Sequence, residues 1–362
     1  MRKLLIGILA VATAAALSST APASADMRGN PDPSHLTPHV VASFGSYVGG
    51  AFLESIAPDG RGNLIASVNE WGYPLDPSDV NSAWTDNIGQ LVRVSLDGTQ
   101  TPFGPALDLG PCTMITGVTV DGHGRIYVAV FDFAFTYPPD SPACGARNMP
   151  TSVLRVAQDG YTVAMSLPDG TMPNGITTHD DTLYVADSAG GAVWRGSTTH
   201  RTSPRAAWYS SAMLAPASGA VIGADGIAYR DDALYVTSYS QGLLVRIGIG
   251  ERGDPRHARV VAADPLLVNA DGITFDGRDR AWITVNNTSY YGADDQPVQN
   301  DDARLLVVSP SGRVTVAATP PGSLDYPTQA VIDRHGTVYV ANGAYNSAFI
   351  SGASPTIMAF TG

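Results

Sequence analysis

Along this chain the apolar residues fall in short alternating runs rather than at the i, i+3, i+4 spacing of a helix, and the runs repeat. Six segments, 53–65, 115–127, 173–184, 224–235, 270–282 and 327–339, can be laid over one another as one unit. Each begins with a strand of alternating apolar and polar residues and passes through a tight turn rich in Asp and Gly. Each then returns as a second apolar strand, as in Ile115-Thr-Gly-Val-Thr-Val-Asp-Gly-His-Gly-Arg-Ile-Tyr127. That pattern predicts a β-hairpin. Further short strands follow, for example at 90–95, 152–157, 191–195, 243–247 and 304–309. No stretch keeps a 3.6-residue apolar period for more than about two turns, which argues against an α/β fold.

Four strands per unit and six units predict an all-β fold, a six-bladed β-propeller of four-stranded blades. The run at 39–44 reads as a strand without its own hairpin, and the last unit has only 356–360 after its hairpin. Pairing these N- and C-terminal strands would close the ring and remove exposed sheet edges. The expected domain spans 39–362 as a single propeller, with 26–38 as a linker before it.

The repeat phase picks out one position at the start of every innermost strand: Glu54, Thr116, Asn174, Asp225, Asp271 and Thr328. The aligned residue of the second strand, such as Tyr127 or Tyr184, follows 10 or 11 positions later in every unit, the difference falling in the turn. Innermost strands line the channel of a propeller and begin on one face. Three carboxylates and one amide are therefore expected to converge there. Carboxylates left alone in a narrow channel repel one another, and a divalent cation relieves that repulsion. An all-oxygen set suits a hard ion, Ca²⁺ before Mg²⁺. Any single Asp-Gly or Asn-Gly is more simply a turn former. The turn residues Asp59, Asp121 and Asp276, at the other end of the strand, are expected to be structural, whereas Glu54 has no turn preference.

Composition narrows the chemistry. Of the 21 basic residues one is a lysine, Lys3, and the remaining 21 − 1 = 20 are arginines. Arg2 and Lys3 precede an apolar stretch, Leu4 to Leu17, and the small-x-small Ala23-Ser24-Ala25. This reads as a secretory signal peptide over 1–25, cleaved after Ala25, and so as a secreted, extracellular protein. The mature chain would carry 19 − 33 = −14 charges and no lysine. That excludes a lysine Schiff base and a P-loop. An acidic chain without a basic block is a poor partner for nucleic acid. No later segment suits a membrane span, and a monomer acting on a small molecule is expected. Export makes a disulfide between Cys112 and Cys144 plausible, with two free buried thiols as the alternative.

The Glu in Leu53-Glu54, the run Pro173-Asn174-Gly175-Ile176 and the pair Asp271-Gly272 resemble the motifs of the SMP-30/gluconolactonase/luciferin-regenerating-enzyme family. The resemblance covers the chain from about Val41 to its end. It implies a six-bladed propeller with one catalytic Ca²⁺, or another divalent ion such as Mg²⁺, Mn²⁺ or Zn²⁺, in the channel. Carried over, the metal ligands are Glu54, Asn174, Asp225 and Asp271, with Asp271 as catalytic base or nucleophile. The fourth unit of the family usually offers Asn, so Asp225 is a departure that adds a charge and bears on substrate preference.

Strand direction puts the loops after each second strand on the ligand face. Several are long and aromatic: 69–87 with Trp71, Tyr73 and Trp84, 131–150 with Phe133, Phe135 and Tyr137, 286–302 with Tyr290 and Tyr291, and 342–354 with Tyr345 and Phe349. They would form an aromatic lid over a small substrate, although packing of the loops alone accounts equally well for any one ring. No histidine takes a ring position: His123, His179 and His335 fall toward the far turns, which disfavours a Ser-His-Asp triad. Metal-assisted hydrolysis of a lactone or related ester is the first expectation. A ligand-binding propeller with structural calcium and a strictosidine-synthase-like enzyme are the alternatives.

Overall fold

The computed structural model describes residues 30–45, 51–71, 87–110, 112–132, 149–291, 297–344 and 354–362. The leader expected over 1–25 lies outside them. Among the described residues six sheets are four-stranded and antiparallel, a seventh is a two-stranded ribbon, and there is no α-helix. Blade one runs β2 (Ala51–Pro58), β3 (Asn63–Trp71), β4 (Asn87–Ser95) and β5 (Gln100–Asp108). Blade two is β6 (Thr113–Val120), β7 (Ile126–Asp132), β8 (Ser152–Ala157) and β9 (Gly160–Ser166). Blade three is β10 (Pro173–His179), β11 (Thr182–Asp187), β12 (Ala192–Ser197) and the short β13 (Tyr209–Ser210). Blade four is β14 (Ala224–Arg230), β15 (Ala233–Ser238), β16 (Leu243–Ile249) and β17 (Pro255–Ala263).

Blade five is β18 (Ala270–Phe275), β19 (Ala281–Val285), β22 (Arg304–Val308) and β23 (Val314–Ala318), with the ribbon β20 (Ser289–Tyr291) and β21 (Pro297–Gln299) inserted after β19. Blade six joins the ends: β24 (Pro327–Ile332), β25 (Val338–Asn342) and β26 (Thr356–Thr361) are completed by the first strand, β1 (Thr37–Ser43). β1 pairs antiparallel with β26, Thr37 opposite Thr361, and begins two residues before the expected 39. The ring is closed inside as well, because β2 packs on β6, then β10, β14, β18 and β24 in turn, and β24 packs back on β2.

The core is divided among the blade interfaces. One buried apolar cluster sits between each adjacent pair, for example Tyr127, Met165, Leu183 and Trp194 between blades two and three, and Trp282, Leu305, Ile332 and Phe360 between five and six. The second strands are buried on both faces, as in β7, which explains their unbroken apolar sequence.

Polar groups complete each hairpin. Asp59 Oδ1 accepts from the amides of Arg61 and Asn63, Asp121 Oδ1 from His123 and Arg125, and Asp276 Oδ1 from Arg278 and Arg280. These aspartates pin the turns, as expected, by replacing a ladder bond with a side-chain one. Asp333 does the same for His335 and Thr337 in blade six. The second carboxylate oxygen of Asp276 also takes the indole N–H of the buried Trp282 at 3.0 Å.

The glycines after the ring residues serve close packing. A Cβ on Gly175 would come within 2.6 Å of the Asp225 carbonyl oxygen, and one on Gly226 would collide with the Asp271 carbonyl. Gly226→Ala is expected to cost about 1–3 kcal/mol through overpacking. Gly160→Ala, where a Cβ meets nothing within 4 Å, is expected to stay within about 0.5 kcal/mol. Urea unfolding midpoints of the two variants check this, and equal midpoints would contradict it.

Candidate functional site

Each hairpin ladder slips at the same place. The register shifts lie between Leu53 and Ser55, Ile115 and Gly117, Pro173 and Ile176, Ala224 and Ile227, Ala270 and Ile273, and Pro327 and Gln329. The residues passed over are the six ring positions, with the following glycine in blades three, four and five. A bulge leaves its residue outside the ladder and re-aims the side chain. The repeat phase in the sequence therefore corresponds to one recurring backbone irregularity around the axis.

The inner strands wall a channel of about 800 Å³. Glu54, Thr116, Asn174, Asp271 and Thr328 line one end, and His123, His179, Tyr229 and Arg230 the other. Asp225 is enclosed behind the wall at 1% exposure. Its Oδ1 is buried with no hydrogen-bond partner among the described residues. The two threonines are committed elsewhere: Thr116 Oγ1 donates to Pro173 O at 2.8 Å and Thr328 Oγ1 to Leu53 O at 3.2 Å. They tie neighbouring blades together, which leaves Glu54, Asn174, Asp225 and Asp271 as the oxygen donors of the ring.

Burial pushes the carboxyl of Asp271 up from its ordinary 3.8 to about 7, against one hydrogen bond that lowers it, from Asn286 Nδ2 to Asp271 Oδ2 at 3.1 Å. Glu54 is driven well above its usual range by burial and then by the charge of Asp271. Asp225 is driven up by burial and then by Asp271 and Glu54. The three acids thus lie within electrostatic reach of one another, as like charges sharing a dry site. They are spaced around the channel: among the described residues no group of three or more His, Cys, Asp or Glu side chains is close enough together to hold a metal ion by itself. An all-oxygen set with one orphaned carboxylate oxygen fits a large hard ion with irregular coordination and retained waters, the manner of Ca²⁺.

Two participants escaped sequence reasoning. Asn286 follows the second strand of blade five, bonds Asp271, and also donates to Pro327 O at 3.0 Å. Tyr239 follows the second strand of blade four, and its phenol feels Asp225, Asp271 and Glu54. Both stand one position past the residue paired with the start of the inner strand, a phase that repeats around the ring and is the signal for them. Of the aromatic lid, Tyr73, Trp84, Phe133, Phe135, Tyr137, Tyr345 and Phe349 lie outside the described residues, and Trp71, Tyr290 and Tyr291 are described only as strand backbone in β3 and β20. Cys112 is disulfide-bonded, and Cys144 lies outside the described residues.

No family model matches the chain, and no curated protein matches it. Solved structures do. A gluconolactonase from Xanthomonas campestris is 14% identical, with a TM-score of 0.53, over 94% of this chain and 98% of that one. A structural-genomics protein assigned as a gluconolactonase is also 14% identical, with a TM-score of 0.53, over 92% and 94%. The PQQ-bound aldose sugar dehydrogenase of Streptomyces coelicolor is 14% identical, with a TM-score of 0.50, over 92% and 99%. These matches establish a shared fold across nearly the whole chain.

The raised carboxyl of Asp271 makes stability depend on pH. The folded protein holds a proton on Asp271 that the unfolded chain releases, so this contribution is complete below about pH 4 and is lost as pH rises through about 7. In chelator, the melting temperature is expected to fall between pH 5 and pH 8 by more in the wild type than in Asp271→Asn. Parallel profiles from thermal scans would refute the assignment.

Proposed function

We propose that the chain is a secreted hydrolase of lactones or related esters that works with a divalent cation, Ca²⁺ first. The observation that carries this is that Glu54, Asp225 and Asp271 lie within electrostatic reach of one another around one channel end, where burial holds all three carboxyls up, neighbouring charge adds to this for Glu54 and Asp225, and an oxygen of Asp225 is left unpartnered. Glu54, Asn174, Asp225 and Asp271 would hold the ion. When bound, it supplies Lewis-acid polarisation of a carbonyl oxygen. The likeness to gluconolactonase structures agrees with this reading at the level of fold.

In this reading the residues divide the work. Asp271 faces the channel and takes up a proton near neutrality, which suits a general base. Asn286 fixes its orientation by bonding Oδ2, so that the other oxygen faces the substrate. Asn174 contributes an amide oxygen without adding charge. The acidic ring favours an uncharged lactone or ester over one bearing a carboxylate, because a substrate carboxylate would meet like charge there.

A panel of lactones and aryl esters, assayed with Ca²⁺, with EDTA and with Asp271→Asn, tests the proposal. Turnover is expected with Ca²⁺, with a loss on the order of 100-fold or more in the other two. No turnover on any member, or turnover indifferent to both changes, overturns it. Asp225→Asn removes one of three charges. It is expected to weaken Ca²⁺ binding about tenfold by calorimetry, about 1.4 kcal/mol, and to raise the relative rate on carboxylate-bearing lactones. Unchanged affinity would take Asp225 out of the cation site.

A further inference from the structure

Charge is unevenly divided around the rim of the propeller. The outer segments of blades three, four and five, 192–210, 243–263 and 304–318, hold nine arginines and two acids, Glu251 and Asp254, a balance of 9 − 2 = +7. The outer segments of blades one, two and six, 87–108, 152–166, 356–361 and 37–43, hold two arginines and three acids, 2 − 3 = −1. The whole chain stands at −12, so everything outside the three basic segments carries −12 − 7 = −19. No contiguous basic run announces this, because the arginines are gathered by three consecutive blades.

Local geometry joins them into one belt. Arg195, on β12 of blade three, donates through Nη1 to Gly253 O at 3.1 Å, in the turn between β16 and β17 of blade four. A Cβ on Gly253 would meet Arg195 Nη2 at 2.7 Å, and one on Gly250 would collide with the Arg256 guanidinium. Gly253 N–H donates to Gly250 O at 2.7 Å, so these two guanidinium groups lie on one tight turn, which also contains Arg252. Arg246 and Arg259 stand directly opposite each other on β16 and β17, and Arg246 is placed by the Tyr235 ring, 5.9 Å away at its centroid. The belt continues into blade five, where a Cβ on Gly312 would strike Val261 O of β17, and Arg313 comes next in the chain. Arg252, Arg256, Arg259 and Arg313 are exposed, and Arg195 and Arg246 are half-buried.

Like charges directly opposite each other weaken a ladder, so the pair Arg246 and Arg259 costs the fold stability. Among the described residues the arginines in ion pairs are Arg93, Arg125, Arg230 and Arg280, none of the nine. The fork of a guanidinium matches a carboxylate through two parallel hydrogen bonds. We propose that the rim of blades three to five is a docking surface for a linear polysaccharide bearing carboxylates. A thin chain can track the belt across three blades and stay clear of the acidic remainder. A nucleic-acid duplex or a lipid surface presents a broad anionic face that would also meet the −19 elsewhere. Trp208 favours a saccharide further: it is half-buried, donates through Nε1 to the same Gly253 O at 2.7 Å, and sets an aromatic surface beside Arg195 for a sugar ring to pack on. The belt lies on the rim and the acid ring at the axis, so docking leaves the channel free.

The test titrates the full chain, without added Ca²⁺ and at low salt, with polygalacturonate, neutral dextran, duplex DNA and phosphatidylglycerol vesicles, read by biolayer interferometry. Polygalacturonate is expected to bind more tightly than DNA or vesicles at equal concentration of anionic groups, with affinity falling as salt is added, and dextran is expected not to bind. Arg252→Ser/Arg256→Ser/Arg259→Ser, three exposed positions, is expected to weaken polygalacturonate binding on the order of tenfold or more. Arg61→Ser/Arg155→Ser, which removes two exposed arginines outside the belt, is expected to change it by less than about twofold. No binding of polygalacturonate, comparable losses in the two variants, or tighter binding of DNA or of vesicles overturns the proposal.

Discussion

Six innermost strands share one narrow axis, and the rest of the molecule follows from how their crowded backbones are satisfied there. Strands brought this close leave peptide groups facing the next blade, out of reach of water, where an unmade hydrogen bond is costly. The chain answers with one buried side chain or more at every junction: Asn69 to Ile115, Thr116 to Pro173, Ser188 to Ala224, Thr237 to Asp271, Thr284 to Thr328, and Thr328 to Leu53. Glycine at 175, 226 and 272 lets the strands approach, since a Cβ at each would meet the neighbouring carbonyl. The apolar clusters between blades supply the bulk of the burial, but they are non-directional. The polar ties fix which residue of one strand faces which residue of the next.

The same crowding produces the electrostatics of the site. A bulge at the start of each inner strand takes a side chain out of the ladder, and the six positions ring one channel end. In two blades the freed residue is a threonine that turns back to tie blades together. In the other four it is an acid or an amide. Placing three carboxylates there costs stability in the fold alone, because each is desolvated and two are further opposed by a neighbour's charge. A packed core would avoid that arrangement, so its presence is a mark of function rather than of folding.

The sequence made the architecture readable because a hairpin is a local object. The Asp-Gly turns, the apolar second strands and the 10- or 11-residue phase are all set by residues a few positions apart. The phase alone aligned Glu54 with Asp271, although 217 residues (271 − 54) separate them. The bulges were not readable, since a slipped register depends on the facing strand. Asn286 and Tyr239 were missed for a related reason. Their seat is conformational and has no residue preference: Asn, Phe, Ser, Tyr and Gly all fill it. The partial enclosure of Asp225 behind the channel wall, with one oxygen unpartnered, depends on packing between blades four and five. Nothing in Ala224-Asp225-Gly226 announces it.

Fold and activity part company at the ring. Nearly the whole chain superposes on a gluconolactonase and, almost as well, on a sugar dehydrogenase that binds a quinone cofactor, all at 14% identity. The blades therefore do not select the chemistry. What can select it is the handful of side chains that the bulges free from the ladders and the seats after the second strands. An acid at one bulge, Asp225, and an amide at another, Asn174, give the site different charge while both residues stand outside the ladder. The blades that carry Glu54, Asn174, Asp225 and Asp271 tie to the next blade through Asn69, Ser188, Thr237 and Thr284, so these ring positions can vary their chemistry while the architecture stays fixed.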